Sequence, residues 1–573
     1  MRMPTSTIGA WLGLVVAWGG CSSPARRGSA PIAPGGGSGA GTGTGTGTGT
    51  GGATATTTAT ATATPIGGAC TPDREHLQST CRDGAMCMPL PGGMCTAPCG
   101  TGACPDGSVC VPTGRMGELC VAACTSDVDC RADEGYVCDP ARHGCVLPFS
   151  TAPAIAHCMR DVPGDAGFGD MHALTSAASA GAYQFEPSAV VTPAGDLVVL
   201  YTGGAESFFA PSFLGVARVP ADGRAPTETP LPTRKRMHFD PWLAIDAAGT
   251  LHAVWLGHDG GGVDANAEIG YARSTDGGVT WSAPVAIHDP AACAEGQPFC
   301  LDKPMIATGV EPRTRRPVVR AFYASEGEPE GMHMVTSTDG GATFGKAVPV
   351  VEGAYGDVAI DGAGVIHVVV ADASPAGPAA WGSPDNRVVY TRSTDGATFT
   401  APVTVSAPGE SIPFYFVSPS VVVDGKRRVV YVAYVAGPPD GAWSVQLAIS
   451  KDAGTTWTRR PLAPGACHQS VPELAIAADG SVHATWYQTI HGSAHRVYTR
   501  CKAGGGACAP AGVLGRGMTT YELVRHSPRW VGEYTGLVVD DRHKAVHAVW
   551  TQVMGEDFGG RGAARIVHAR GAL

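Results

Sequence analysis

Seven stretches of the chain repeat one pattern of apolar and polar positions: an apolar run, a turn, and a second run ending on an aromatic residue. Phe239–Asp246 leads through Gly249 into Leu251–Trp255, Val471–Ala477 through Gly480 into Val482–Trp486, and Tyr534–Asp540 into Val546–Trp550. Looser copies begin at Phe185, Leu301, Tyr355 and Val417, and the seven starts lie 54 to 63 residues apart. A period of that length holds four short strands and their turns, the signature of a propeller blade. The first run is apolar at nearly every position, as a strand buried on both faces should be. The second alternates, which predicts a place nearer the outside. The last unit ends on Arg565–Ala569, one strand short. A segment around Met171–Leu174 is expected to supply that strand and close the ring, removing exposed sheet edges. The expectation is an all-β chain with a β-propeller over residues 159–573.

Four further segments share a turn: Ser274–Trp281, Ser337–Phe344, Ser393–Phe399 and Ser450–Trp457, written Ser-x-Asp-Gly-Gly-x-Thr-Trp/Phe, two of them matching at every position. Asp276, Asp339, Asp395 and Asp452 can accept backbone N–H groups there, and Gly can take φ > 0. The segment resembles the Asp box, or bacterial neuraminidase repeat, of sialidase-like propellers. The resemblance implies a sialidase-like fold in which these turns sit on the outer edge, far from any bound sugar. The sialidase fold proper has six blades. Seven repeats favour seven here, with six blades and an accessory sheet as the alternative.

Composition narrows the class. The 573 residues include 80 Gly and 45 Pro, a turn-rich load that suits an all-β protein. A net charge of −10 argues against a nucleic-acid groove. Arg2 and the apolar stretch Ile8–Gly20 before Cys21 read as a signal peptide over residues 1–20, too short for a membrane span. Gly19-Gly20-Cys21 with Ser22 and Ser23 resembles a bacterial lipobox, with Trp18 where Leu is usual. That implies a diacylated Cys21, contact with the membrane through the lipid anchor only, and a place at the cell surface or outer membrane; ordinary secretion is the alternative. Residues 21–69 are largely Gly, Ala, Thr and Pro and cannot bury enough apolar surface to fold. As a Gly-rich coil they form a stalk spanning roughly 35–40 Å.

Twelve of the 19 cysteines fall between Cys70 and Cys145, with a repeated Asp/Glu-Gly-x-x-Cys unit ending at Cys87, Cys110 and Cys138. Such density in residues 70–158, with little apolar content, reads as a disulfide module, with zinc as the rival. The spacing leaves the connectivity open. The module loosely resembles the small epidermal-growth-factor-like repeats of bacterial surface lipoproteins, which implies spacing or adhesion. Later in the chain, Cys293 and Cys300 are spaced to staple one loop, and Cys501 and Cys508 another. Cys467 is expected to reach Cys158 or Cys70.

Candidate chemistry lies where the innermost strands begin. Those starts carry Glu186, Asp240, Asp302 with Lys303, Asp357, Glu473, and Glu533 with Tyr534. Acidic groups at equivalent positions would converge on the axis, where like charges raise pKa values or require a cation. The competing reading is that each carboxylate caps backbone N–H groups of a neighbouring blade. The sialidase resemblance implies an arginine triad, a Tyr nucleophile paired with Glu, and an Asp acid/base. Tyr534, Glu473 and Asp240 are the residues that would take the last three roles. Glu186, however, stands where the first arginine is expected, and Arg320, Arg387 and Arg529 sit in no family motif. The repeated His252, His367, His483 and His547 share one strand position and are expected to be structural. The sequence therefore points to an exported, lipid-anchored, monomeric surface protein. Its propeller is expected to bind a glycan or a surface protein at the channel mouth without catalysis. No cofactor is required, although the acidic mouth could hold a divalent cation. A sialidase-type glycoside hydrolase, or a lyase on the same scaffold, is the first alternative, and a structural envelope protein the second.

Overall fold

The computed structural model describes residues 64–573 apart from 71–80, 83–84, 89–93, 100–103, 113–117, 132–135, 140–141, 147–162, 175–182, 205–210, 260–266, 289–300, 326–330, 373–385, 413–417, 438–442, 464–467, 491–492, 516–530 and 554–563. The expected signal peptide, Cys21, most of the expected stalk, Cys158, Val417, Cys467 and Arg529 lie outside the described residues. So do Cys293 and Cys300, between which a staple is expected.

From Tyr183 onward the chain forms seven four-stranded antiparallel sheets. Their first strands are Tyr183–Val191, Met237–Ile245, Leu301–Val310, Tyr355–Ile360, Ser420–Asp424, Gln469–Ile476 and Gly536–Asp540. Each touches the next and the last touches the first, so the sheets are blades of a closed ring. The protein is a seven-bladed β-propeller, and the six-bladed alternative is set aside. The seventh blade consists of Gly536–Asp540, Ala545–Val553, Ala564–Ala572 and, from the other end of the chain, His172–Ala173. His172 pairs with His568 and Ala173 with Val567, which is the closure that the missing strand predicted.

The second strands correct an expectation. Leu197–Gly204, Leu251–His258 and Val429–Ala436 are buried at every residue, not half-exposed. A second strand has hydrogen-bonded neighbours on both sides and adjacent blades on both faces. The alternation read as inside–outside is instead large apolar against His or Ala, all of it packed.

The Asp-Gly turns behave as their residues require. Asp339 accepts from Ala342 N (2.9 Å), Thr343 N (2.9 Å), the Ser337 hydroxyl (2.7 Å) and the Thr343 hydroxyl (2.6 Å). Bonds from the Thr456 hydroxyl and amide, and then from the Ser450 hydroxyl, hold Asp452 at a pKa of about 2. Gly341 (φ +83°) and Gly454 (φ +90°) admit no side chain, because a Cβ there would overlap Tyr271 or Tyr390 of the preceding blade. Those tyrosines are fixed in turn by the repeated histidines. Nδ1 of His252, His367 and His483 lies 2.8, 2.7 and 2.6 Å from the hydroxyls of Tyr271, Tyr390 and Tyr498. Each histidine thus joins two strands of its blade, and in blades two and four its tyrosine supports the next blade's turn.

In the N-terminal region Cys81–Cys95, Cys99–Cys110, Cys104–Cys120, Cys124–Cys138 and Cys130–Cys145 are disulfides, and Cys501–Cys508 is a sixth. The Cys-x₃-Cys pairs are not bonded to each other. Each of their cysteines pairs elsewhere, Cys95 with Cys81 and the other three in the interleaved pairs Cys99–Cys110/Cys104–Cys120 and Cys124–Cys138/Cys130–Cys145, which removes the thiolates a zinc site would use.

Candidate functional site

A repeated backbone device creates the site. In blades one, two, three and six the pairing of the first strand slips by one residue, between Phe185 and Ser188, Phe239 and Trp242, Asp302 and Met305, and Ser470 and Glu473. The residue before proline in each bulge is left-handed: Glu186 (φ 56°), Asp240 (φ 51°), Lys303 (φ 46°) and Val471 (φ 49°). Such a conformation costs a non-glycine residue about 1–3 kcal/mol and is held only where the surroundings demand it. Bulges of this kind re-aim a side chain, and here they aim three charged ones at a common cluster.

The ammonium of Lys303 stands 2.7 Å from Asp240 Oδ1, 2.8 Å from Glu533 Oε2 and 3.8 Å from Asp302 Oδ1. It also lies 5.0 Å from the centre of the Tyr355 ring. Blade three is thereby tied both to blade two and, across the axis, to the loop entering blade seven. Trp242 of blade two meets Tyr534 of that loop with ring centres 5.0 Å apart. Gly532 (φ +81°) lets the loop run against Glu186, since a Cβ there would lie 2.8 Å from Glu186 Cγ. Glu186, Asp240, Lys303, Glu533 and Tyr534 are all at most 6% exposed, and Asp302 is the outer member, its side chain 28% exposed. Burial and the charge of Asp240 raise Glu186 well above the usual carboxylate range. Burial moves Asp240 up to about 7 against the pull of Lys303. Tyr534 is pushed up by burial and then by Glu186 and Asp240.

Asp357 and Glu473 do not join this cluster. Glu473 stands two residues past the left-handed Val471 of its bulge, Asp357 lies in a first strand without a bulge, and the two form a second group bridged by Ser420. The Ser420 hydroxyl is 3.2 Å from Asp357 Oδ2 and 3.4 Å from Glu473 Oε1. Asp357 also accepts from Val358 N (2.7 Å) and Val421 N (2.8 Å). Burial still carries it to about 6, while burial and then Asp357 raise Glu473 well above its usual range. The expected single ring of carboxylates is therefore two groups, because the acids come from two different strand positions. Capping of the neighbouring blade is real as well: Glu186 Oε2 accepts from Asp240 N (3.1 Å), and Ser188 and Ser420 receive Leu243 N (3.0 Å) and Leu474 N (3.1 Å). Among the described residues no three acidic side chains bring oxygen atoms within 4.8 Å of one another; the groups that close are cysteines. The cation the acids surround is Lys303.

The two arginines named from sequence that lie among the described residues, Arg320 and Arg387, do not converge here. Arg320 occupies the repeated-histidine position of blade three and packs beneath Gly396 of the next turn, at the far end of the blade. Arg387 is exposed at the start of a third strand. Arg496, which no motif marked, is buried beside Glu473. It donates to Val471 O (2.9 Å) and the Thr485 and Thr535 hydroxyls, and its guanidinium lies 4.7 Å from the Tyr487 ring centre. Burial lowers it to about 10.

No family model and no curated protein matches the chain. Among solved structures it is similar to a protein of unknown function from Dyadobacter fermentans DSM 18053, at 15% identity and a TM-score of 0.41, over 71% of this chain and 100% of that one. It is also similar to the Hadza microbial sialidase Hz136, at 18% identity and a TM-score of 0.38, over 56% of this chain and 66% of that one. A third is the alpha-L-arabinanase of Penicillium chrysogenum, at 12% identity and a TM-score of 0.38, over 71% and 98%. Likenesses this distant carry no argument about chemistry, and the fold rests on the seven sheets.

Proposed function

We propose that this is an exported, lipid-anchored surface protein whose propeller binds a neutral glycan or a polypeptide at the channel mouth, without catalysis. The observation that carries this reading is the sealed axis. Lys303 is engaged by Asp240 and Glu533, and every member of that contact is at most 6% exposed. The charge left toward solvent is the Asp302 carboxylate, whereas burial holds the partly buried Glu473 toward its neutral form. An anionic sugar would meet repulsion strengthened by partial desolvation, whereas hydroxyl or ammonium groups would find acceptors. A lipid-anchored Cys21 and a flexible stalk would hold that mouth away from the membrane. The purified chain is to be probed on an array of neutral glycans and surface-protein peptides, followed by calorimetry of any hit. Binding that weakens in Asp302→Ala or Glu473→Ala supports the proposal. Retention of no probe, or binding indifferent to both substitutions, overturns it.

A further inference from the structure

The axial cluster holds the reactants of a condensation. A primary amine, Lys303 Nζ, sits 2.7 Å from Asp240 Oδ1, so the carboxyl carbon to which that oxygen is bonded is its next neighbour. A second carboxylate, Glu533, lies 2.8 Å from the same amine. Trp242, Tyr355 and Tyr534 line the surroundings. Both reactants stand in left-handed backbone before a proline, so the fold tolerates strain to hold them face to face. We infer that Lys303 and Asp240 join in an intramolecular isopeptide bond, with Glu533 as the proton shuttle.

The step balances without an oxidant or a cofactor. Glu533 takes one proton from the Lys303 ammonium, freeing the nitrogen lone pair. That pair forms the N–Cγ bond with the protonated Asp240 carboxyl. Glu533 returns its proton to the departing hydroxyl, which leaves as water, and then removes the second proton from nitrogen. The products are a neutral amide, one water and a protonated Glu533. Asp240, raised to about 7 by burial, supplies the protonated carboxyl near neutral pH. A base within hydrogen-bond reach and a nucleophile held at contact distance are what such a reaction needs. Exchanging buried ions for a neutral amide also removes their desolvation penalty. Glu186, whose Oε1 has no hydrogen-bond partner among the described residues, lies against Asp240 and accepts its backbone N–H. The bond would tie blade two to blade three, a device suited to a chain exposed outside the cell. It does not depend on the ligand-binding reading.

The test is intact mass spectrometry of the full purified chain after disulfide reduction, followed by trypsin digestion. The expected chain is lighter by one water than its processed sequence requires. A branched peptide should join residues 237–273 to 274–313 through Asp240 and Lys303. Asp240→Ala and Glu533→Gln should restore the full mass. A wild-type chain at full mass with the two peptides separate overturns the inference. So does a branch at Asp302 or Glu533. Because the wild-type chain is itself the readout, a variant that fails to fold leaves the test intact.

Discussion

Asp357 sets two effects against each other. Three hydrogen bonds, from Val358 N, Val421 N and the Ser420 hydroxyl, favour its ionised form, while burial favours the neutral one. Burial wins, and the carboxyl titrates at about 6 in the folded chain. In the unfolded chain an Asp titrates near 3.9, so the difference is about two units, or roughly 3 kcal/mol. The sign follows from proton counting. Between those two values the unfolded chain has released the proton and the folded chain still holds it, so stability falls as pH rises and levels off above 6. Asp357→Asn is neutral throughout and has no such slope. It does lose acceptor capacity toward one backbone N–H, at a cost of about 1–3 kcal/mol at any pH. The variant should therefore be less stable than the wild type near pH 4 and gain on it by roughly 3 kcal/mol by pH 7. The gain would be larger if the loss of the Asp357 charge also lets Glu473 ionise more easily. Urea titrations followed by tryptophan fluorescence, with disulfides intact, give the difference at each pH, and the histidine contributions common to both chains cancel. A difference that stays flat from pH 4 to 7 would refute the reasoning, for it would mean that the hydrogen bonds outweigh desolvation.

Further outcomes follow from the same geometry. His238, His468, His483 and His547 are lowered to about 4, chiefly by burial, so the folded chain resists protonation that the unfolded chain accepts near 6.5. Stability should drop as pH falls from 6.5 to 4, and a flat acid limb in calorimetry would count against this. Replacing Gly341 by alanine should be strongly destabilising, because a Cβ collides with the Tyr271 hydroxyl; a melting temperature unchanged within a degree or so would contradict that packing. Cys21→Ala should release the protein from the membrane fraction or leave it unprocessed, and unchanged fractionation and processing would remove the lipid anchor. Thiol titration of the denatured, unreduced chain should find almost no free sulfhydryl, whereas abundant thiol or bound zinc would reverse the disulfide assignment.

The fold was largely legible because a propeller repeats its instructions. The apolar runs at Phe239, Val471 and Tyr534 fell on first strands or, at Tyr534, just ahead of one, and the short seventh unit pointed to its partner strand before Tyr183. Three things were not legible. Period-two alternation in Leu251–Trp255 could not show that neighbours cover both faces of a second strand, since pattern records side-chain size and polarity but not what lies opposite. The bulges hid the true equivalences: Glu186-Pro187, Asp240-Pro241, Lys303-Pro304 and Val471-Pro472 form one series, and reading along it would have separated Glu473 from Asp240. Lys303 was noted beside Asp302, but its contact with Glu533 crosses the axis and is far away in sequence. Arg496 carried no motif, and only its burial against Tyr487 and Glu473 marks it.

The central claim is that the sealed, acid-lined axis does not turn over an anionic sugar. Its most direct test is a fluorogenic sialoside incubated with the purified, folded full-length protein across pH 4.5 to 8. The account predicts fluorophore release no faster than in buffer alone. Robust cleavage, abolished by Tyr534→Phe, would contradict it.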